Sequence, residues 1–479
     1  MSAYIKKSEQ YVESRKIFDM LYQEDMAVFL DSSMKNELGR YSIIGICPYL
    51  ILKEVEGVLY VNEEKKDVSL ESFLKEYLKQ YKEENDTELP IVSGGIGYFS
   101  YDYGRKFEQI KTRHVKQSDI PEVIFVFYDN FIIEDIEKKE LYLAANGKRK
   151  DKKSSIRQLE LLIEEIVNNG EINGEAAKKR DVAIKKDNVP KNDTAGFWKN
   201  ITLENYASKV GKNFEKKQYI KAIEDVVEYI KKGHIYVMNM TQQFRVKSER
   251  APYQVFQNIQ NNNPAPFAAY MNYGNDIIIS ASPERFLKIR NGIIETRPIK
   301  GTRKRGNTKE EDEVLKRELE ASEKDKSELL MIVDLERNDL NKICVPGSVQ
   351  VTELFQVETY ATVFHLVANV MGTLRKDIDV VDVLQAVFPG GSVTGAPKVR
   401  AMEIIDELEH DRRGIYTGII GYVSLNGNSE FNIAIRTAVY EKGQYHIGIG
   451  GGITYESDTG FEYEETLQKG KALVEAILR

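Results

Sequence analysis

The chain has 479 residues, 42% of them hydrophobic, and carries 75 acidic against 68 basic side chains for a net charge of -7. That length supports a large core and roughly two to four domains. The mildly acidic balance disfavours general nucleic-acid binding, which needs net or clustered positive charge. Its two cysteines, Cys47 and Cys344, lie far apart and without metal-ligand spacing, which points to a reducing compartment and no disulfide framework. The polar N-terminus lacks an apolar signal core, and no apolar run reaches membrane-spanning length. A soluble cytoplasmic protein is expected, with neither a nucleic acid nor a membrane as partner.

Residues 1–170 read as an N-terminal subdomain of short strands and helices. Within it "PEVIFVFYDNFIIEDIEKKELYLAAN" reads as strand, turn, strand, from β-branched and aromatic runs between charged turns. "SSIRQLELLIEEIVNNG" has helical spacing and an Asn-Gly stop. Residues 171–200 are polar and aperiodic, and read as an exposed connector. In the remainder, 201–479, "KKQYIKAIEDVVEYIKKG" is an amphipathic helix ending at Gly233. "KDKSELLMIVDLERNDL" reads as a helix, and "DVVDVLQAVFPGGSVTGAPKVRAMEIIDELEH" as helix, Gly-rich loop, helix, with Pro397 in the first turn of the second. The stretch from Tyr416 to Asp458 reads as antiparallel strands turning at Asn426-Gly427 and Lys442-Gly443, followed by a last helix. The class is α+β with extensive antiparallel sheet.

Several constellations could carry chemistry. Side chains alternate across a strand, which sets Arg436 between Ala434 and Ala438, while His446, Gly448, Gly450 and Gly452 share a face of the next strand. A cation among glycines suits a small carboxylate ligand, although an exposed sheet face with a surface Arg fits equally. "PGGSVTGAP" opening a helix could attract an anion or simply be a turn that needs glycine. Asp325 and Glu328, three apart on one helix, and Glu462 and Glu465 on another, each share a face. Facing pairs would suit an oxygen-ligated Mg²⁺, whereas solvated helix faces would read the same way. His365 in an apolar run fits a core histidine. Finally "ETRPIKGTRKRG" surrounds Lys300 with Arg297, Arg303, Lys304 and Arg305. It is either a solvated basic loop or a setting that lowers the lysine pKa from ~10.4 towards nucleophilic use.

In one collinear order, "FLDSS…GRYSIIG", "NPAPF", "SASPERFLKI", "ETRPIKGT", "SELLMIVDLERNDL", "PGGSVTGAPKVRAMEIIDELE", "GIIGY", "IAIRTAV", "GIGGGI" and "EYEET" resemble the chorismate-utilising enzymes. That family includes component I of anthranilate synthase and of aminodeoxychorismate synthase. The resemblance implies a single α+β unit: two large antiparallel sheets packed as a sandwich, surface helices, and an active site in a cleft. It implies Mg²⁺ and chorismate. Glu328 and Glu465 match the metal ligands, with Asp325 and Glu462 supporting them through water. Gly301, Thr302, Ser392 and Lys469 match the surroundings of the ring carboxylate, and Arg436, Tyr416 and the Gly452 amide the site of the enolpyruvyl carboxylate. His365 matches a catalytic or orienting histidine. Asp31, Ser32, Asn263, Pro264, Pro266 and Phe267 resemble the family's tryptophan pocket.

The residue at Lys300 separates the subfamilies: anthranilate synthases usually have Ala there, and aminodeoxychorismate synthases Lys. The implied reaction is attack of Lys300 on C2 of chorismate with loss of the C4 hydroxyl, then addition of ammonia at C4. The product, 4-amino-4-deoxychorismate, leads to p-aminobenzoate and folate. Anthranilate synthase component I is the alternative, and a tryptophan sensor with a degenerate active site is a second. The chain departs from the pattern at His234 and Val237, where Asp and Gln are common. A lysine at the latter position activates water in isochorismate and salicylate synthases, which Val237 cannot do. Cys47 does not match an amidotransferase nucleophile, so a separate glutamine amidotransferase subunit is the expected ammonia source.

Overall fold

The computed structural model describes residues 3–32, 38–116, 118–180, 209–360 and 363–478. Two long neighbouring strands organise it. Tyr41–Val55 pairs with Val123–Asp135 along nearly its whole length, and every residue of the second strand is buried. Their register shifts between Pro48 and Leu50, and Cys47 just before it takes a left-handed φ of 60°. A bulge of this kind bends and twists a strand, so each half joins a different sheet.

The first sheet runs from Val237–Lys247 through Gln444–Ile453, Thr437–Glu441, Asp276–Ser282, Phe267–Tyr273 and Val28–Asp31 to the start of Tyr41–Val55. The end of Val123–Asp135, then Glu140–Ala145 and Tyr4–Lys7, complete it. The second sheet starts from the other halves. It continues through Gly94–Phe99, Ile419–Ser424, Ser429–Ile433, Arg285–Arg290, Ile293–Arg297 and Val363–Thr373. Ile299–Lys304 and Gln350–Thr359 flank the last strand. All these pairings are antiparallel, as the sequence implied.

Inner faces of the two sheets meet in one apolar cluster that includes Ile43, Ile96, Tyr98, Val126, Met271, Ile278, Ile420 and Val439. Helices Ser14–Leu21, Pro252–Asn262 and Thr459–Leu478 pack outside the first sheet, and Leu70–Gln80, Glu323–Asn341 and Val380–Val387 outside the second. The sandwich with surface helices is therefore the observed architecture.

Two local readings need correcting. "EFNIAIRTAV" is not one strand: Ser429–Ile433 belongs to the second sheet and Thr437–Glu441 to the first. Arg436 sits in the crossing between them at φ 49°, so simple alternation does not orient it. The helix beginning at Lys152 passes the expected Asn-Gly stop and reaches Arg180. Most of the connector expected at 171–200 lies outside the described residues. Among those residues, no helix is long and apolar enough to cross a membrane.

Candidate active site

The cleft forms where strand Gln444–Ile453 of the first sheet approaches strand Ile299–Lys304 of the second. Lys300 Nζ donates to the Ser392 carbonyl oxygen at 3.4 Å, and lies 3.6 Å from where a Cβ on Gly452 would be. A larger residue at 452 would crowd the amine. Opposite Leu366 and His365 the register shifts between Lys300 and Thr302, and Gly301 takes φ 73°. An added Cβ there would meet Asp325 at 2.8 Å. Glycine thus allows the bulge and brings the strand against helix Glu323–Asn341.

Thr302 Oγ1 and His365 Nδ1 are 2.9 Å apart. Burial, and secondarily the Arg436 charge, push the His365 pKa down to about 4, so the ring is neutral near pH 7. Arg436 is solvent-exposed but surrounded by enough protein that lost hydration lowers its pKa. Among the described residues its guanidinium has no ion-pair partner, which leaves it available to an anionic ligand. The Tyr416 ring lies against Gly448, where an added Cβ would overlap it at 2.0 Å. Beyond Tyr416 is a second cavity of about 90 Å³ lined also by Gln243, Arg245 and His446.

The acids come from two helices. Burial raises the Glu328 pKa, opposed by Lys300 and Lys324 and reinforced by Asp325 and Glu465. Burial likewise raises that of Glu462, which accepts a hydrogen bond from Ser457 at 2.7 Å and feels Glu465. Glu465 pairs with Lys469 at 2.6 Å, and Lys469 also donates to the Gly450 carbonyl at 3.3 Å. Asp325 pairs with Arg303 at 3.1 Å. Among the described residues no three Asp, Glu, His or Cys side chains converge as a ready-made metal cluster. The donor set is nonetheless oxygen-only and mutually repelling, which suits a hard divalent cation.

The cations flanking Lys300 have partners of their own. Arg297 pairs with Glu353 and Glu358, Arg303 with Glu318 and Asp325, and Arg305 with Asp312. They brace the strand and its neighbours.

Glu284 carries no distinct signal in the sequence. It is 7% exposed, its Oε1 is buried with no hydrogen-bond partner, and burial raises its pKa against the influence of Ser392 and Lys300. A buried carboxyl that feels the charge of the nucleophile candidate is a candidate for proton transfer. "SASPERF" contains it, but a lone Glu before a strand gives no periodic signal.

A separate cavity of about 230 Å³ is lined by Asp31, Ser32, Arg40, Pro266, Phe267 and Lys288 among others. Asp31 is buried and accepts from Arg15 at 3.0 Å and from Gln260 at 2.5 Å. Asn263 and Pro264, expected in this pocket, are not among its lining residues. Asn263 instead ends helix Pro252–Asn262, its N–H donating to Ile259 at 2.7 Å. Of the departing positions, His234 is exposed at a helix end and packs edge-on to Tyr229. Val237 is buried opposite Ala396.

Fold and cleft define a class before any particular relative does, and comparison with known proteins agrees. Residues 29–475 match the family described as chorismate binding enzyme, and the chain belongs to that family. It is 34% identical to anthranilate synthase component 1 of Acetivibrio thermocellus over 469 residues, 95% of this chain and 91% of that one. It is also 34% identical to aminodeoxychorismate synthase component 1 of Bacillus subtilis (strain 168) over 481 residues, 99% and 94% of the two chains. Anthranilate synthase component I from Streptococcus pneumoniae TIGR4 superposes with a TM-score of 0.75 at 29% identity, covering 92% of this chain and 93% of that one.

Proposed function

We propose that this protein is an aminodeoxychorismate synthase component I, which aminates chorismate at C4 through a covalent intermediate on Lys300. The carrying observation is the setting of the Lys300 amine, beside the Ser392 carbonyl and the glycine strand and within reach of the Glu284 and Glu328 charges. Identity alone does not separate the two activities, since the relatives bearing each name are equally similar; Lys300 supports the aminodeoxychorismate reading.

In this reading Lys300 attacks C2, and Glu284 protonates the departing C4 hydroxyl. Arg436 and the Tyr416 side of the cleft hold the enolpyruvyl carboxylate, while Gly301, Thr302, Ser392 and Lys469 border the ring carboxylate. Neutral His365 orients Thr302. Glu328 and Glu465 would hold Mg²⁺, with Asp325 and Glu462 outside them, and the bound ion would supply positive charge for the substrate carboxylate. Ammonia would come from a separate glutamine amidotransferase subunit, and free ammonium replaces it in the assay. The cavity at Asp31 and Ser32 supports a tryptophan site, so anthranilate synthase remains the second reading.

Chorismate, Mg²⁺ and ammonium should yield no fluorescent anthranilate, and p-aminobenzoate should appear once an aminodeoxychorismate lyase is added. Anthranilate as the main product would overturn the assignment.

A further inference from the structure

Three residues before Tyr416 the chain buries a charge that the proposed reaction does not use. Arg413 and Glu409 are each 3% exposed and pair at two points, Nη2 to Oε1 at 2.7 Å and Nε to Oε2 at 3.0 Å. The other guanidinium N–H groups reach backbone and a hydroxyl. Nη1 donates to the Val393 carbonyl at 2.7 Å and to the Thr417 hydroxyl at 3.3 Å, and Nη2 donates to the Asn239 carbonyl at 2.6 Å. Glu409 also accepts the Thr241 N–H at 2.9 Å. Each partner adjoins a residue of the cleft. Val393 follows Ser392, whose carbonyl meets the Lys300 amine at 3.4 Å. Asn239 and Thr241 lie opposite Gly452 and Gly450, and Gly452 leaves the space that the amine occupies. The Asn239 N–H donates in turn to the Thr394 carbonyl at 2.8 Å, tying strand to turn. A planar fork with five N–H groups satisfies this arrangement, whereas an ammonium with three donors on one atom does not. The buried pair of Arg105 with Asp406 differs. At 2.8 Å from that acid, Arg105 donates otherwise to the Lys111 carbonyl at 2.8 Å, and neither partner adjoins the cleft.

Resting on Lys300 as the nucleophile, we infer that Arg413, braced by Glu409, is a positioning residue that fixes the Ser392 carbonyl and the Gly452 strand around the Lys300 amine. That amine is steered by one long hydrogen bond to a turn carbonyl, so its aim depends on where the turn stands. Arg413 holds the next carbonyl along the turn and the strand behind the amine with a single rigid group. All five of its N–H groups are used in this way, which leaves none for substrate. Burial of an ion pair is not by itself stabilising, since desolvation offsets the attraction and an apolar pair of similar volume often serves as well. What an apolar pair cannot replace is the set of bonds to the two carbonyls.

The test follows chorismate consumption with Mg²⁺ and ammonium, well below each melting temperature, in wild type, Arg413→Lys, Arg105→Lys and the double variant Arg413→Met/Glu409→Leu. Arg413→Lys should lower kcat on the order of 10²-fold, the scale of misplacing a reacting group by about 1 Å. Its KM should change less than about threefold, because the binding groups of the cleft remain. Arg105→Lys should lose thermal stability and keep its kcat. The double variant buries no unpaired charge, so it stays folded even if Arg413→Lys does not, and its kcat should still be down on the order of 10²-fold. A wild-type kcat in either Arg413 variant would overturn the inference, and so would an equal loss of kcat in Arg105→Lys, which would mark a general effect of loosening the fold. Anthranilate from the wild type would remove the proposed function, and the kcat comparison would still decide the role of Arg413, because it counts chorismate and not product.

Discussion

Lys300 and Ser392 meet across two segments 92 residues apart, amine to carbonyl at 3.4 Å. The contact joins an edge of the second sheet to the Gly-rich turn at Gly391–Val393, and so fixes the lysine in the cleft. Replacing Lys300 with Ala should lower aminodeoxychorismate formation on the order of 10³-fold, the scale of losing a covalent nucleophile. Substrate affinity should change little. Steady-state kinetics with ammonium checks both.

Glu284→Gln keeps the shape of the side chain and removes its proton. Turnover should fall about 10²–10⁴-fold, as for loss of a general acid, without loss of thermal stability. A variant as fast as wild type would assign the proton to another group.

Glu328 bears on the metal independently of catalysis. Its pKa is raised by burial, with Asp325 and Glu465 adding repulsion, so Glu328→Gln should melt at a higher temperature than wild type in metal-free buffer. Added Mg²⁺ should stabilise the wild type and not the variant, by the linkage of binding to folding. Equal stabilisation of both would exclude Glu328 as a ligand.

Glu336 predicts a pH dependence of stability. Its carboxyl is raised to about 8 in the fold from an ordinary value of 4.5, so the folded state binds more protons across that interval. The resulting stabilisation is complete below 4.5 and is lost as pH rises through 8. Denaturant unfolding of wild type minus Glu336→Gln should show the difference falling across this window. His365, lowered to about 4, should show no imidazole titration by NMR between pH 6 and 8.

The sheet class was legible because strands alternate and collinear motifs are specific. Arg436 was singled out on an alternation that does not hold there: it lies in the crossing between two sheets, a tertiary event that local alternation cannot reveal. Glu284 and Glu336 were not legible. Each is a single acid whose setting comes from tertiary neighbours remote in sequence, Ser392 and Lys300 for Glu284 and Thr296 for Glu336. The basic character of "ETRPIKGTRKRG" misled in the other direction, since Arg297, Arg303 and Arg305 are occupied by acids from distant segments.

The most direct test of Lys300 as nucleophile is intact-protein and peptide mass analysis after incubation with chorismate and Mg²⁺, with ammonia excluded. The peptide carrying Lys300 should gain the mass of chorismate less one water, and ammonium should then release it as aminodeoxychorismate. Product formation on adding ammonium, with no such adduct beforehand and none on Lys300, would contradict the account.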